Sequence, residues 1–283
     1  MCRLFGFRSV IDSQVHRSLL AAENALGTQS NQHPDGWGVA YYVDGAPHVT
    51  RNPMTALGDQ LFHRLSGVVS SQTVLAHVRR ATRGDKTVLN CHPFQHGRWV
   101  FAHNGDVPEF DLNRAALHAA IDPDLGRFVL GETDSELLFY LFLTELRRTG
   151  PLSGSRGVGE VSRALSRTIA LARGICDAPG REPALLTFVV TNGETLAAVH
   201  GGKDLFFSTH KTRCSDRGTC KSLSAECEAP TQTGRVNHFV VSSEPLHGEN
   251  VWIPFEPGEV IGVDAGMLLH RGSTARTALP VVG

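Results

Sequence analysis

The sequence predicts a mixed α+β domain in which strands outnumber helices, and three observations carry that prediction. Short apolar runs of strand length recur along most of the chain, several of them bounded by Gly, Pro, Asn or Asp. Strong helical signals are few, the best of them starting near Thr133 and Glu160. No internal repeat, low-complexity block or clear linker divides the 283 residues, so a single layered domain over residues 2–283 is expected.

Composition narrows the function classes. Apolar residues make up 41% and charged residues 19% of the chain, a globular balance without the signature of disorder. Lys plus Arg (27) nearly cancels Asp plus Glu (28), so no net field favours nucleic acid or an anionic membrane. No secretory leader or membrane-length apolar run is present, and the expected location is cytoplasmic. The six cysteines show no paired-framework spacing, so reduced thiols are the default.

The elements follow in order. Cys2 to Ile11 reads as a strand headed by the cysteine, and Ser13 to Leu26 as a helix, with Val15, Leu19, Ala22 and Leu26 in helical register before Gly27. His33-Pro34-Asp35-Gly36 is a turn into the strand Val39 to Val43, and Asp44-Gly45 returns the chain toward His48 to Thr50. After a helical or irregular connection, Thr73 to Val78 and Trp99 to His103 read as strands that deliver Arg79-Arg80-Ala81-Thr82 and Asn104-Gly105 to their ends.

Asp111 to Ala120 suggests a short helix. In the next one Thr133 is a cap and Glu136 completes a capping box, ahead of Leu137, Leu138, Tyr140, Leu141 and Leu143. A Gly/Pro/Ser-rich connection leads to a helix over Glu160 to Ile175. Strands are expected at Ala184 to Thr191, Thr195 to His200, Leu205 to Ser208, His238 to Ser242, Asn250 to Ile253 and Val260 to Val263. Lys211 to Gly234 is expected to be a long surface loop, and the tail from Arg271 to be loosely ordered.

Chemistry points to the beginning of the chain. Removal of Met1, which the small Cys2 side chain permits, leaves one residue with both a thiol and a free α-amine. Their reference pKa values, about 8.5 and about 7.7–8.0, let the amine accept the thiol proton near neutrality. This is the N-terminal form of an activated nucleophile. The structural alternative makes Cys2 a small apolar residue at the head of a buried strand.

Cys2, His77-Val78-Arg79-Arg80-Ala81-Thr82, Asn90-Cys91-His92-Pro93-Phe94, His103-Asn104-Gly105 and Thr133-Asp134-Ser135-Glu136 form an ordered series. It resembles the class II glutamine amidotransferases, the N-terminal-cysteine branch of the N-terminal-nucleophile (Ntn) hydrolases. The resemblance implies a four-layer αββα sandwich, two antiparallel sheets flanked by helices. It also implies that Cys2 attacks the γ-amide of glutamine to give a γ-glutamyl thioester, releasing ammonia. The side-chain amide of Asn104 and the backbone N–H of Gly105 match the oxyanion donors. Arg79 matches the α-carboxylate clamp and Asp134 the acceptor for the α-ammonium. Gly36, Thr82 and His103 match positions that line the substrate pocket. An ordinary hairpin turn at Asn104-Gly105, a surface charge at Arg79 and a helix-terminal acid at Asp134 are the structural alternatives.

His77, His92 and His103 read as strand-end hydrogen-bonding residues rather than proton carriers, and Ser242-Ser243-Glu244-Pro245 as a family turn without chemistry. Where relatives often carry an aromatic residue after the clamp arginine, this chain has Arg80. No synthetase-like, isomerase-like or phosphoribosyltransferase-like domain is visible beyond the glutaminase-like unit, so the chain resembles stand-alone members. The substrate is glutamine or a larger γ-glutamyl small molecule, as in thiol biosynthesis, with a synthetase as a candidate partner for ammonia transfer. No cofactor, metal, nucleic acid or membrane enters this reading. A different class, a non-catalytic amino-acid- or zinc-binding module, rests on His210, Cys214, Cys220 and Cys227, whose spacings lack tight Cys-x-x-Cys pairs.

Overall fold

The computed structural model describes residues 2–14, 17–214, 224–231 and 234–274. The strands run β1 (Arg3–Gln14), β2 (Trp37–Val43), β3 (Ala46–Asn52), β4 (Ser70–Val78), β5 (Phe94–His96), β6 (Trp99–Asp106) and β7 (Leu185–Thr191). They continue as β8 (Leu196–Val199), β9 (Phe206–Ser208), β10 (Gly234–Arg235), β11 (His238–Ser242), β12 (Ile253–Pro254), β13 (Glu259–Val263) and β14 (Leu268–Ser273). The α-helices are α1 (Leu26–Gln29), α2 (Gln60–Val68), α3 (Phe110–Ala119), α4 (Pro123–Gly126), α5 (Asp134–Arg147), α6 (Val158–Cys176) and α7 (Ser224–Cys227).

Among the described residues these strands build two seven-stranded sheets, in the spatial orders β12-β9-β11-β1-β4-β2-β3 and β10-β14-β13-β8-β7-β6-β5. The pairings are antiparallel, as at Leu4–His77, Phe5–Ser242 and Asn104–Thr187. Period-2 alternation gives each sheet two buried faces. Leu4, Ala40 and Leu75 of the first sheet meet Val100, Ala102, Val189, Leu196 and Ala198 of the second in the central core. The outer face of the first sheet packs Phe5, Trp37, Val39 and Val78 under Leu26 and Phe62 of α1 and α2. The outer face of the second packs Phe101 and Phe188 against Phe139 and Phe142 of α5, with α3 and α6 closing that layer. The result is the four-layer αββα sandwich expected from the sequence.

Helix α5 explains itself. Its apolar residues fall all around the helix, a pattern suited to burial on every side, and Asp134 through Leu146 are all buried. The Thr133 hydroxyl accepts from the Glu136 N–H at 3.3 Å, as a cap should. The reciprocal half of the expected capping box is absent, because the Glu136 carboxylate instead accepts from the N–H groups of Leu130 and Gly131 and holds that turn.

Other expectations need correction. The helix read over Ser13 to Leu26 is not there: Ser13 and Gln14 continue β1 and pair with Ser71 and Ser70, while Arg17–Ala21 makes a single π-helical turn. Val15 and His16 lie outside the described residues. The tail is ordered through Ser273, since Leu268–Ser273 pairs with β13 and Arg271 bonds Glu259. The expected strand at Asn250 to Ile253 reduces to β12 and an isolated bridge from Asn250 to Lys211. Among the described residues no helix is long and apolar enough to cross a membrane.

Candidate active site

Strand β1 opens at Arg3, paired with Val78, which sets Cys2 beside Arg79 at the end of the first sheet. The Cys2 sulfur packs on the Arg80 backbone: the Arg80 N–H donates to Sγ at 3.5 Å, and Sγ lies 3.6 Å from the Arg80 carbonyl oxygen. Burial pushes the thiol pKa up, the Arg80 hydrogen bond and the Arg79 charge pull it back, and Asp134 adds to the rise. The net shift is upward, so the thiol needs a base. The charges of Arg79 and Asp134 thus act on this sulfur in opposite directions.

The turn before β2 supports Arg79. The Arg79 N–H donates to the Gly36 carbonyl at 2.7 Å, and the Asp35 N–H to the Arg79 carbonyl at 3.0 Å. The Asp35 carboxylate accepts from the Ala81 N–H at 2.9 Å and pairs with Lys86 at 2.5 Å. Burial would raise the Asp35 pKa, but these two partners outweigh it and hold the carboxyl below its usual range. Gly36 has φ +136°, and a Cβ there would stand 2.6 Å from Cys91 Sγ. Gly36 thus contributes a carbonyl that pins Arg79.

Arg79 is buried, and its guanidinium donates to the carbonyls of Asp85 at 3.1 Å, Arg83 at 2.6 Å and Gly84 at 3.2 Å. The surface-charge alternative is therefore excluded, and the arginine closes the 79–85 loop. Thr82 stands exposed on that loop.

Asn104 and Gly105 lie inside β6, opposite Thr187 and Leu186, which rules out the hairpin-turn alternative. Asn104 is buried on the inter-sheet side, where its Nδ2 contacts Ser243 Oγ at 3.4 Å and its Oδ1 has no hydrogen-bond partner. A Cβ on Gly105 would fall 1.8 Å from the Leu185 carbonyl oxygen, so only glycine lets β6 and β7 approach this closely.

Asp134 opens α5. Its Oδ2 accepts from the Val107 N–H at 2.9 Å, and its Oδ1 from the Ser135 N–H at 2.7 Å and hydroxyl at 3.1 Å. His103 sits on the outer face of β6, its Nδ1 2.9 Å from the Ser135 hydroxyl and its Nε2 2.8 Å from the Leu185 carbonyl. Both ring nitrogens are thus occupied within the protein, and Ser135 lies between His103 and Asp134.

The rings of His77 and His92 stack at 4.2 Å. His77 keeps a backbone hydrogen bond to His103, whereas neither ring nitrogen of His92 has a partner, so the hydrogen-bonding expectation fails at His92. Burial holds both well below the ordinary histidine pKa, so they are neutral. Of the zinc alternative, Cys220 lies outside the described residues. Among the described residues no group of three His, Cys, Asp or Glu is placed to hold a metal.

Sequence reasoning left three supporting residues without a role: Asp35, Ser135 and Ser243. Ser135 adjoins Asp134 in sequence and was legible as a neighbour. Ser243 reaches Asn104 only through the β1–β11 register, which no local signal reveals.

Two facing antiparallel sheets between helical layers, with Cys2 at the head of a central strand, match the layout of the Ntn hydrolases. The chain belongs to the class-II glutamine amidotransferases, a family whose profile matches residues 1–280. It is similar to the probable glutamine amidotransferase DUG3 of Saccharomyces cerevisiae, 34% identical over 57% of this chain and 50% of the yeast protein. It is also similar to the gamma-glutamyl-hercynylcysteine sulfoxide hydrolase of Mycobacterium tuberculosis, 39% identical over 38% of this chain and 50% of that protein. The matched segments thus span half the length of each of these two relatives. Among solved structures, a glutamine aminotransferase class-II domain protein from Silicibacter pomeroyi superposes over 96% of this chain and 99% of its own, with TM-score 0.63 and 23% identity. That likeness establishes the fold. Family and fold together make the chain an enzyme of the Ntn amidohydrolase type.

Proposed function

We propose that the protein hydrolyses the γ-amide of glutamine, or of a related γ-glutamyl compound, through a thioester on Cys2. The observation that carries this reading is Cys2 at the head of β1, next to Arg79 at the end of β4, with the buried Asn104 amide of the facing sheet 3.4 Å from Ser243, which is itself bonded to Leu4 of the same strand. The charges of Arg79 and Asp134 both act on the thiol. With Met1 removed, the α-amine of Cys2 takes the thiol proton. Sγ attacks the amide carbon, and the carbonyl oxygen becomes an oxyanion held by Asn104 Nδ2 and the Gly105 N–H. Collapse expels ammonia, or a larger amine, which leaves with the proton from the α-amine. Water then attacks the thioester, and Sγ departs to regenerate the thiol.

Asp134 keeps lone-pair capacity after its three internal bonds and accepts from the substrate α-ammonium. Arg79 reads the α-carboxylate by releasing one of the loop carbonyls that now occupy it. Gly36 and Thr82 border the pocket, and His103 orients Asp134 through Ser135. The unit is proposed to work in the cytoplasm, where reduced cysteines are the default.

The similarity to a γ-glutamyl hydrolase supports a second reading in which the leaving amine is part of a larger molecule. Release of glutamate from L-glutamine and from a panel of γ-glutamyl amides decides between them. Faster turnover of glutamine supports the glutaminase reading, with a synthetase partner to consume the ammonia. Turnover confined to larger γ-glutamyl amides supports the second, and turnover of neither contradicts both.

A further inference from the structure

Ser243 stands where the two sheets meet at the nucleophile. It follows β11, whose register sets Ser242 opposite Phe5. The Ser243 N–H donates to the Leu4 carbonyl at 3.1 Å, and its Oγ accepts from the Leu4 N–H at 3.0 Å. The next residue, Glu244, forms an ion pair with Arg3. The first residues after Cys2 are thereby tied to this turn by two backbone-directed hydrogen bonds and a charge. The same Oγ lies 3.4 Å from the Asn104 amide on the opposite sheet. One buried hydroxyl thus links the strand that carries the nucleophile to the residue that faces it.

The hydrogen-bond inventory shows what the link can do. A serine hydroxyl has one proton and two lone pairs. The Leu4 N–H takes one lone pair, which leaves the O–H bond to donate. Asn104 Oδ1 is buried without a donor, an unfavourable state for a buried carbonyl. A half-turn of the Asn104 amide exchanges Oδ1 and Nδ2, bringing Oδ1 to the Ser243 hydroxyl. Both N–H bonds then lie on the side that had no partner.

We infer that Ser243 is a positioning residue of the oxyanion site: its hydroxyl donates to Asn104 Oδ1 and turns the Asn104 N–H bonds toward the substrate carbonyl oxygen. This deepens the proposed function and rests on it, because the amide is worth orienting only if an oxyanion forms beside it. The strand of the nucleophile and the amide of the oxyanion donor are thereby registered through a single atom.

The test uses the full-length protein and the best substrate from L-glutamine, γ-glutamyl-p-nitroanilide and γ-glutamylcysteine. Kinetics are measured for wild type, Asn104→Ala, Ser243→Ala, Ser243→Cys, Ser243→Thr and the Asn104→Ala/Ser243→Ala pair, with thermal unfolding of each. Asn104→Ala is expected to lower kcat by about 10²–10³-fold, the usual effect of losing one oxyanion donor. Ser243→Ala is expected to lower kcat by roughly tenfold or more, with KM within about twofold. Ser243→Cys, a weaker donor of similar shape, falls between alanine and wild type, and Ser243→Thr recovers most of the rate. The double variant is expected to be no slower than Asn104→Ala alone, the non-additivity of residues acting as a unit.

Full kcat in Ser243→Ala or Ser243→Cys beside a crippled Asn104→Ala overturns the inference. So do multiplicative losses, or a threonine variant no better than alanine, which would mark a purely structural role. If Ser243→Ala does not fold, the cysteine and threonine variants decide by the same criteria. A wild type inactive on every substrate, or a harmless Asn104→Ala, instead overturns the proposed function and this inference with it.

Discussion

Replacing Asp134 by asparagine separates recognition of the substrate amine from the architecture around it. The carboxylate is buried, accepts three internal hydrogen bonds, and lies close enough to Cys2 to affect its thiol. A hydrogen bond to a charged partner contributes about 1.5–3 kcal/mol. At about 1.4 kcal/mol per factor of ten, losing the ammonium contact should raise KM by roughly 10–150-fold. Because the ammonium is held in ground state and transition state alike, kcat should change little.

Asparagine keeps one oxygen for the Val107 or Ser135 donors but turns an NH2 group on the others. A stability loss of about 1–2 kcal/mol is expected, or several degrees in melting temperature for a domain of this size. The assay compares the preferred amide substrate with its analogue lacking the α-amine, on wild type and Asp134→Asn. The KM penalty should appear with the amino substrate, while the des-amino analogue should be handled equally by both proteins within about threefold. An equal penalty on both substrates would reduce Asp134 to a helix-terminal residue.

Three further outcomes follow from the geometry. Gly105→Ala should fail to fold or lose most of its stability, because its Cβ would fall 1.8 Å from a backbone oxygen of β7; a wild-type melting temperature contradicts this. Gly36→Ala combines φ +136° with a 2.6 Å approach to Cys91 Sγ and should cost about 1–3 kcal/mol. Adding Cys91→Ala should recover only part of that loss in thermal unfolding. Stability should fall on acidification from about pH 6.5 toward 4. Burial, aided by neighbouring cations, lowers His33 and His238 to about 4 from 6.5, and His77 and His92 are also depressed. In that window the unfolded chain binds more protons than the folded one, so unfolding becomes easier as pH falls. A flat melting temperature between pH 7 and 5 would contradict it.

Much of the fold was legible because local pattern and tertiary burial agree. The run from Leu137 to Leu143 is apolar all around and becomes the buried helix α5, and Asp44-Gly45 turns the β2–β3 hairpin with both residues at positive φ. Ser13 to Leu26 misled because its apolar spacing fits a helix, whereas Ser13 and Gln14 are drawn into β1 by pairing with β4. The sequence leaves α2 open as helical or irregular, and only burial of Phe62 against Trp37 makes its role plain. Arg271 looked like the start of a loose tail because nothing local reveals its partner Glu259 on β13.

The site divides in the same way. Cys2, Arg79, Asn104, Gly105 and Asp134 stood out by residue type and order. The occupied guanidinium of Arg79 and the Ser135–His103 support behind Asp134 depend on contacts across loops and layers. Ser243 is 139 residues from Asn104 in sequence. Its role follows from sheet register, which a single sequence does not display.

We propose that the mature enzyme begins at Cys2 and uses its thiol as the nucleophile. Intact-mass measurement of freshly purified protein, before and after brief exposure to a diazo-ketone analogue of glutamine, tests it most directly. Loss of the Met1 mass and a single covalent adduct are expected, the adduct mapped to Cys2 and suppressed by excess glutamine or the preferred γ-glutamyl substrate, with the other five cysteines unlabelled. A protein that retains Met1, or one that loses it and never labels at Cys2, would contradict the claim.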